Sequence, residues 1–175
     1  GAGACVNALS TGGPVQLWAM ADVFSERVNS SLASLCKHRT WDYDKSNFKK
    51  FEEAERVKKI NVPPERRFVG FDAYKKAIDI LRPGDIAMCT TRAYIRPVHV
   101  EYAVQKGINV FMEKPFACAP MGLHRLLRAA KEADRKGVKI AAGLQCRHSP
   151  ARAALIDKIR RGEMGELSYI RANRL

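Results

Sequence analysis

Apolar runs about as long as a strand alternate along this chain with stretches whose apolar positions recur at helical spacing. "AGACVNALS" is helical in pattern and stops at Gly12-Gly13-Pro14, a strong breaker. Val15–Asp22 is an apolar run of strand length, and the segment opened by Ser25 as N-cap keeps apolar residues at Val28, Leu32 and Leu35. Arg67–Phe71 predicts a short strand, and Asp72 caps the helix expected after it. The strand "GDIAMCTT" comes next, then a helix with Pro97 in its first turn and Gly107 at its stop. The alternation continues with strand "INVFMEK", helix "APMGLHRLLRAAKEADRKG", strand "VKIAAGLQ" and a helix capped by Ser149 with Pro150 at its first position. "GELSYIRANRL" has the pattern of one more strand. Between His38 and Pro64 the chain is charged and less regular, and a helix and loop inserted between two units of a sheet are expected there.

Strands joined by helices of about ten or more residues imply βαβ crossovers and a parallel sheet. The strand runs are continuously apolar, which fits burial on both faces. The fold class expected is therefore α/β, a doubly wound parallel Rossmann sheet. Such a sheet begins with a strand at its centre, whereas here a helix comes first. A sheet without that strand would bury unpaired backbone groups at a cost of about 1–3 kcal/mol each, so a first strand is expected ahead of Gly1. The organisation expected is a dinucleotide-binding domain over residues 1–150, followed over 151–175 by a linker helix and the start of a second α/β domain.

Composition narrows the class without changing it. A length of 175 residues allows one domain with a core, and 46% apolar and 28% charged residues are ordinary for a soluble globular chain. No run of about 18 apolar residues occurs, so no membrane span is expected. The cytoplasm is the expected compartment, with export left open. The net charge of +13, from 31 Lys+Arg against 18 Asp+Glu, raises nucleic acid as a partner. Acids interleave with bases at helical spacing in "KKFEEAERVKK" and "HRLLRAAKEADRK", the pattern of solvated helix faces, and no nucleic-acid partner is expected. The five cysteines are odd in number and contain no C-x-x-C pair, so neither a zinc site nor a disulfide framework is indicated. Cys89 and Cys118 stand in apolar contexts and read as small core residues.

Open parallel sheets bind ligands beyond the C-terminal ends of their strands, so the junctions after the strands carry the candidate chemistry. Gly1 and Gly3 in "GAGA" fit the end of a loop that lets a pyrophosphate approach a helix N-terminus, though two glycines beside a helix also make a plain turn. Asp22 ends its strand about 20 residues later, where an acid accepts hydrogen bonds from the adenosine ribose. A carboxylate there repels a 2′-phosphate and favours NAD over NADP; its competing role is to cap the next helix. Thr90 and Thr91 follow an apolar strand and either border a nicotinamide or form an ordinary Thr-rich loop. In "NVFMEKPFA", Glu113 and Lys114 arrive together and Pro115 forbids further ladder bonding. A lysine fixed there beside a carboxylate can hold a substrate hydroxyl and help carry away its proton.

"MEKPFA" resembles the Glu-Lys-Pro signature of the glucose–fructose oxidoreductase, inositol dehydrogenase and rhizopine-catabolism family (Gfo/Idh/MocA). "GAGACVNAL", "VQLWAMADVFSER", "FVGFDAYKKAID", "IAMCTT", "VKIAAGLQCRHSPA" and "IRRGEMGELSYIRANR" fall in that family's order, so the resemblance covers nearly the whole chain. It implies a catalytic Lys114 at the reacting carbon of the substrate, and Glu113 near the cofactor's ribose. Gly1, Gly3, Asp22, Thr90 and Thr91 then fall on the cofactor, and no metal is implied. The family's loop often has a His shortly before the proline that opens the helix, where this chain has Ile95 and Arg96. Arg92 and Arg96, together with Arg147 and His148 after the last strand, are candidates to face the substrate. A second domain supplying an Asp and a His, and homo-oligomerisation through it, also belong to the resemblance.

The activity expected is an NAD-dependent oxidoreduction of a hydroxyl-bearing carbon in a sugar, cyclitol or related polyol. A glycoside hydrolase that uses NAD and returns the hydride is the alternative within the family. A dinucleotide-binding module without turnover is the alternative from another class.

Overall fold

The structure, a computed structural model, describes residues 1–36, 57–171 and 173. Most of the helix and loop expected between His38 and Pro64 lies outside the described residues. The chain divides into two compact units, Gly1–Ala142 and Gly143–Leu175.

The first unit is built from α1 (Ala2–Leu9), β1 (Met20–Asp22), α2 (Ser25–Cys36), β2 (Arg67–Val69), α3 (Ala73–Asp79), β3 (Ile86–Cys89), α4 (Arg96–Gln105), β4 (Asn109–Glu113) and α5 (Pro120–Lys136), with β5 (Ile140–Gly143) at the boundary. The α/β alternation is thus present, and the strands pair in parallel. β1 lies on β2 with Asp22 opposite Val69, and β3 lies on β4 with Cys89 opposite Met112. β5 flanks β4, giving sheets β1–β2 and β3–β4–β5.

The larger core forms between β3–β4 and the helices α4 and α5. Val100, Ala103 and Val104 of α4 are sealed against Val110 of β4 and against Leu126, Ala129 and Ala133 of α5. Those α5 residues recur at helical spacing, so one stripe of an otherwise charged helix is buried. Gly137, at φ +71°, closes α5, and the Lys136 ammonium crosses to the carbonyls of Gln105 (2.8 Å) and Val104 (3.3 Å), satisfying the open end of α4. A smaller cluster of Cys5, Leu9 and Leu35 packs with Leu17, Met20 and Met88 under α1 and α2. Lys59 closes α1, donating to the carbonyls of Leu9, Thr11 and Gly13.

Several expectations are corrected. The run from Val15 becomes a strand only at Met20–Asp22, with Leu17 making a single parallel bridge to Ile60. Before Met20 the only described backbone bonds from this run to another segment are those of Leu17 with Lys59 and Asn61, too few to extend a ladder. Ser25 is the first helical residue and not the cap; Phe24 supplies the carbonyl that Val28 N–H meets at 3.3 Å. Asp72 stands at the N-cap of α3, but its carboxylate pairs with Lys76 at 3.0 Å instead of capping. No strand forms among the described residues of "GELSYIRANRL", where Tyr169 and Ile170 are exposed. A strand there has no described neighbour to complete its ladder. Cys118 is exposed on the loop before α5, while Cys89 is buried as expected.

The helix surfaces carry acid–base pairs among the basic residues. Arg135 meets Glu132 at 2.8 Å, Arg125 meets Glu101 at 3.2 Å and Lys106 meets Asp79 at 2.6 Å. Exposed pairs of this kind stabilise little, but they break the positive surface into mixed patches. No helix among the described residues is long and apolar enough to cross a membrane.

Candidate active site

β3 and β4 run parallel and in register up to Cys89 and Met112, so the residues that follow them leave the sheet side by side at its C-terminal edge. Thr90 and Thr91 depart from β3, and Lys114 and Pro115 from β4, whose last residue is Glu113. Proline cannot donate to a ladder, so β4 ends at the motif. The Lys114–Pro115 peptide is cis. The backbone N–H of Lys114 donates to the Glu113 carboxylate at 3.2 Å, and the lysine side chain is exposed. The motif thus turns its carboxylate back over its own backbone and leaves the ammonium outward.

The N-terminus of α1 meets the same edge. A Cβ placed on Gly1 would lie 2.9 Å from Thr90 Oγ1, so only glycine fits against that threonine without displacement. A Cβ on Gly3 would meet open space. Gly1 and Thr90, named from two distant junctions, are therefore neighbours. Asp22 ends β1, and its Oδ1 accepts the Phe24 N–H at 3.0 Å, so part of the carboxylate serves the entrance to α2. The Arg27 guanidinium lies 5.0 Å from the Phe24 ring centre in that same turn.

Arg96 corrects the sequence expectation. It was a candidate to face substrate, but it is buried at 3% exposure and points inward. Its Nη1 donates to the carbonyls of Glu113 and Pro115, and its Nη2 to the carbonyl of Thr91. Three carbonyls at the ends of two strands thus share one planar cation, whose fixed fork of donors spans acceptors that a point charge could not. Its Nε is buried without a hydrogen-bond partner among the described residues. Burial pulls the guanidinium pKa down, while the nearby Cys89, Glu113 and Cys118 oppose that shift.

His99, one turn along α4 from Arg96, was not singled out from the sequence. Its Nδ1 lies 3.1 Å from Thr91 Oγ1, and its ring stacks on Tyr74 at 4.1 Å. Burial, aided by the Arg96 charge, pushes its pKa down to about 4, so the ring is neutral near pH 7. The signal available in the sequence was "RPVHVEYAV", an arginine and a histidine at i and i+3 in a mostly apolar helix. Burial of the Cys89 thiol raises its pKa to about 12, which makes it inert packing.

Arg92 is exposed on the loop before α4. Arg147 and His148 belong to the second unit, in the short 3-10 turn Gln145–His148, where both are exposed. No group of three or more His, Cys, Asp or Glu among the described residues is arranged to hold a metal ion.

A family model described as "Oxidoreductase family, NAD-binding Rossmann fold" (GFO_IDH_MocA) matches residues 33–141. Among solved structures, the chain is similar to myo-inositol 2-dehydrogenase from Lactobacillus plantarum, with a TM-score of 0.63 and 16% identity over 93% of this chain and 38% of that one. It is similar to an NAD binding oxidoreductase from Klebsiella pneumoniae, with a TM-score of 0.57 and 18% identity over 94% of this chain and 35% of the other. It also matches scyllo-inositol dehydrogenase from Lactobacillus casei, solved with bound NAD(H) and scyllo-inositol, with a TM-score of 0.56 and 11% identity over 93% and 37% of the two chains. At these identities the likeness is one of fold, and the chain spans less than two fifths of the length of each of these structures.

Proposed function

Because the chain belongs to the Gfo/Idh/MocA oxidoreductase family, with its NAD-binding Rossmann fold, we propose that it is the cofactor-binding part of an NAD-dependent dehydrogenase. Its substrate is a hydroxyl-bearing carbon of a sugar, cyclitol or related polyol. The observation that carries this reading is the exposed Lys114, beside Glu113, at the sheet edge where Gly1 and Thr90 also meet. When bound, the nicotinamide takes a hydride from the substrate carbon or returns one to it.

The residues of this chain suit such a cofactor in three places. Gly1 carries no side chain at its approach to Thr90, and Gly3 faces open space, so backbone at the head of α1 is accessible to a pyrophosphate. Asp22, steadied by the Phe24 amide, offers a carboxylate to ribose hydroxyls and repels a 2′-phosphate. Thr90 and Thr91 line the exit of β3 next to the nicotinamide half, with Glu113 near its ribose. Lys114 Nζ hydrogen-bonds the substrate hydroxyl and, as the free amine, takes up the proton that this oxygen loses as the carbon is oxidised, then gives it up to solvent. Arg92, Arg147 and His148 are proposed as substrate contacts, and the domain division near residue 150 and assembly as a homo-oligomer through a second domain belong to the same reading.

The test uses the full-length protein, with NADH formation scored across sugars and cyclitols and the dissociation constants of NAD and NADP measured by titration. NAD should bind more tightly than NADP. Lys114→Ala should lower turnover by roughly 10²–10⁴-fold while leaving the NAD dissociation constant nearly unchanged. Near wild-type turnover in that variant would remove Lys114 from the mechanism. Substrate cleavage without net NADH would point to the glycosidase chemistry.

A further inference from the structure

Arg96 stands out among the groups that the proposed chemistry does not use. It is a charged side chain at 3% exposure, and every one of its described hydrogen bonds goes to backbone at the exits of β3 and β4. A charge is costly to bury unless it is well paired, and here the compensating acceptors are the carbonyls that flank the candidate catalytic residues. Glu113 O and Pro115 O bracket Lys114, and Thr91 O belongs to the loop on the nicotinamide side. His99 reinforces the same point from the next turn of α4 by engaging the Thr91 hydroxyl at 3.1 Å. Thr91 is therefore held by both its carbonyl and its side chain, and both anchors come from one rigid helix.

We propose that Arg96 is a positioning residue, whose buried guanidinium ties the Thr91 loop to the Glu113–Lys114–Pro115 turn and so sets where Lys114 stands relative to the cofactor. This rests on the reading of Lys114 as catalytic. The geometry explains why an arginine occupies the position. Its two terminal nitrogens reach carbonyls on two segments at once, whereas a lysine ammonium lacks the planar fork needed to span them. Misplacing a catalytic group by about 1 Å costs on the order of 10²-fold in rate, so a clamp of this kind acts on turnover more than on binding.

The experiment is a double-mutant cycle in the full-length enzyme with Arg96→Lys and Lys114→Ala. Arg96→Lys should lower kcat by about 10–100-fold with little change in KM or in NAD affinity. The same substitution in the Lys114→Ala background should cost no more than about 2–3-fold, because the group it positions is gone. Amide exchange should rise in peptides covering residues 90–96 and 113–117 and stay unchanged in α5. Equal losses in both backgrounds, or exchange raised throughout the core, would reduce Arg96 to a structural role and overturn the proposal. A readout that needs no variant is the Arg96 guanidinium itself: resolved, slowly exchanging Nη–H resonances in the wild-type protein are expected, and averaged ones would also overturn it. The two readings fail separately. Wild-type turnover in Lys114→Ala sinks the catalytic lysine, whereas a large loss there with wild-type turnover in Arg96→Lys sinks the clamp alone.

Discussion

At the scale of single residues, the informative groups are those whose surroundings contradict their chemistry. His99 is a basic residue placed where a cation is unwelcome, packed between Tyr74, Thr91 and the permanently charged Arg96. Its folded pKa of about 4 lies below the ordinary value of 6.5. The unfolded chain therefore binds a proton at His99 first as pH falls, and the neutral ring contributes stability that is fully present above about pH 6.5. That contribution is lost progressively between about pH 6.5 and 4, and amounts to on the order of 3 kcal/mol once both states are protonated. Asp72, Asp79 and Glu132 have pKa values held down by Lys76, Lys106 and Arg135, so their contributions are lost mostly below this window. His99→Gln should flatten the fall in Tm between pH 6.5 and 4 while leaving the steeper fall below it. An unchanged pH profile in the variant would show that His99 does not titrate as described. The sequence exposed Asp22, Glu113 and Lys114 because each stands at or just after the C-terminal end of a strand, where position alone implies access. It concealed the roles of Arg96 and His99, because a charged residue in a helix gives no sign of whether it turns outward or inward until the packing around it is known.

At the scale of elements, α4 and α5 decide the shape of the site. Gly122, in the first turn of α5, sits against Ala117 and Pro97: a Cβ there would meet Ala117 Cβ at 3.2 Å and Pro97 Cγ at 3.3 Å. Pro97 adjoins Arg96, and Ala117 follows the Glu113–Lys114–Pro115 turn closely in the chain. Ala117 or Pro97 would have to move by a few tenths of an ångström to admit a side chain there, and Gly122→Leu should destabilise the protein by about 1–3 kcal/mol in urea unfolding while lowering turnover. Unchanged stability would mean that α5 can shift away from α4 without loss. Apart from the strand expected in "GELSYIRANRL", the existence and order of the described helices and strands were legible from hydrophobic period, Pro97, Gly107 and Pro150, because these are local signals. Strand lengths were less so. An apolar run such as Val15–Asp22 shows what can be buried, whereas the ladder at Met20–Asp22 depends on where β2 lies, a contact far away in sequence.

At the scale of the whole first unit, stability is distributed unevenly. Among the described residues, 12 buried side chains surround β3, β4, α4 and α5, against 3 in the cluster beneath α1 and α2. β1 and β2 form a two-stranded ribbon, whereas β3, β4 and β5 form a three-stranded sheet. A two-stranded ribbon is marginal without a face to pack on, and local opening is easiest where few apolar side chains are buried. In the 175-residue chain, the amides of Met20–Asp22 and Arg67–Val69 should therefore exchange at least about tenfold faster than those of Ile86–Cys89 and Asn109–Glu113, a difference of about 1.4 kcal/mol in opening free energy. The proposed site draws on both regions, with Asp22 and Gly1 on the weaker one and Lys114 on the stronger. A cofactor touching all three would bind the closed form and suppress the faster exchange at β1 more than the slower exchange at β4. Saturating NAD added to the same 175-residue chain supplies the check. Protection gained chiefly at Met20–Asp22 is the expected outcome, and equal protection of both sheets before and after addition would show that the unit opens as one body with no weaker half for the cofactor to order.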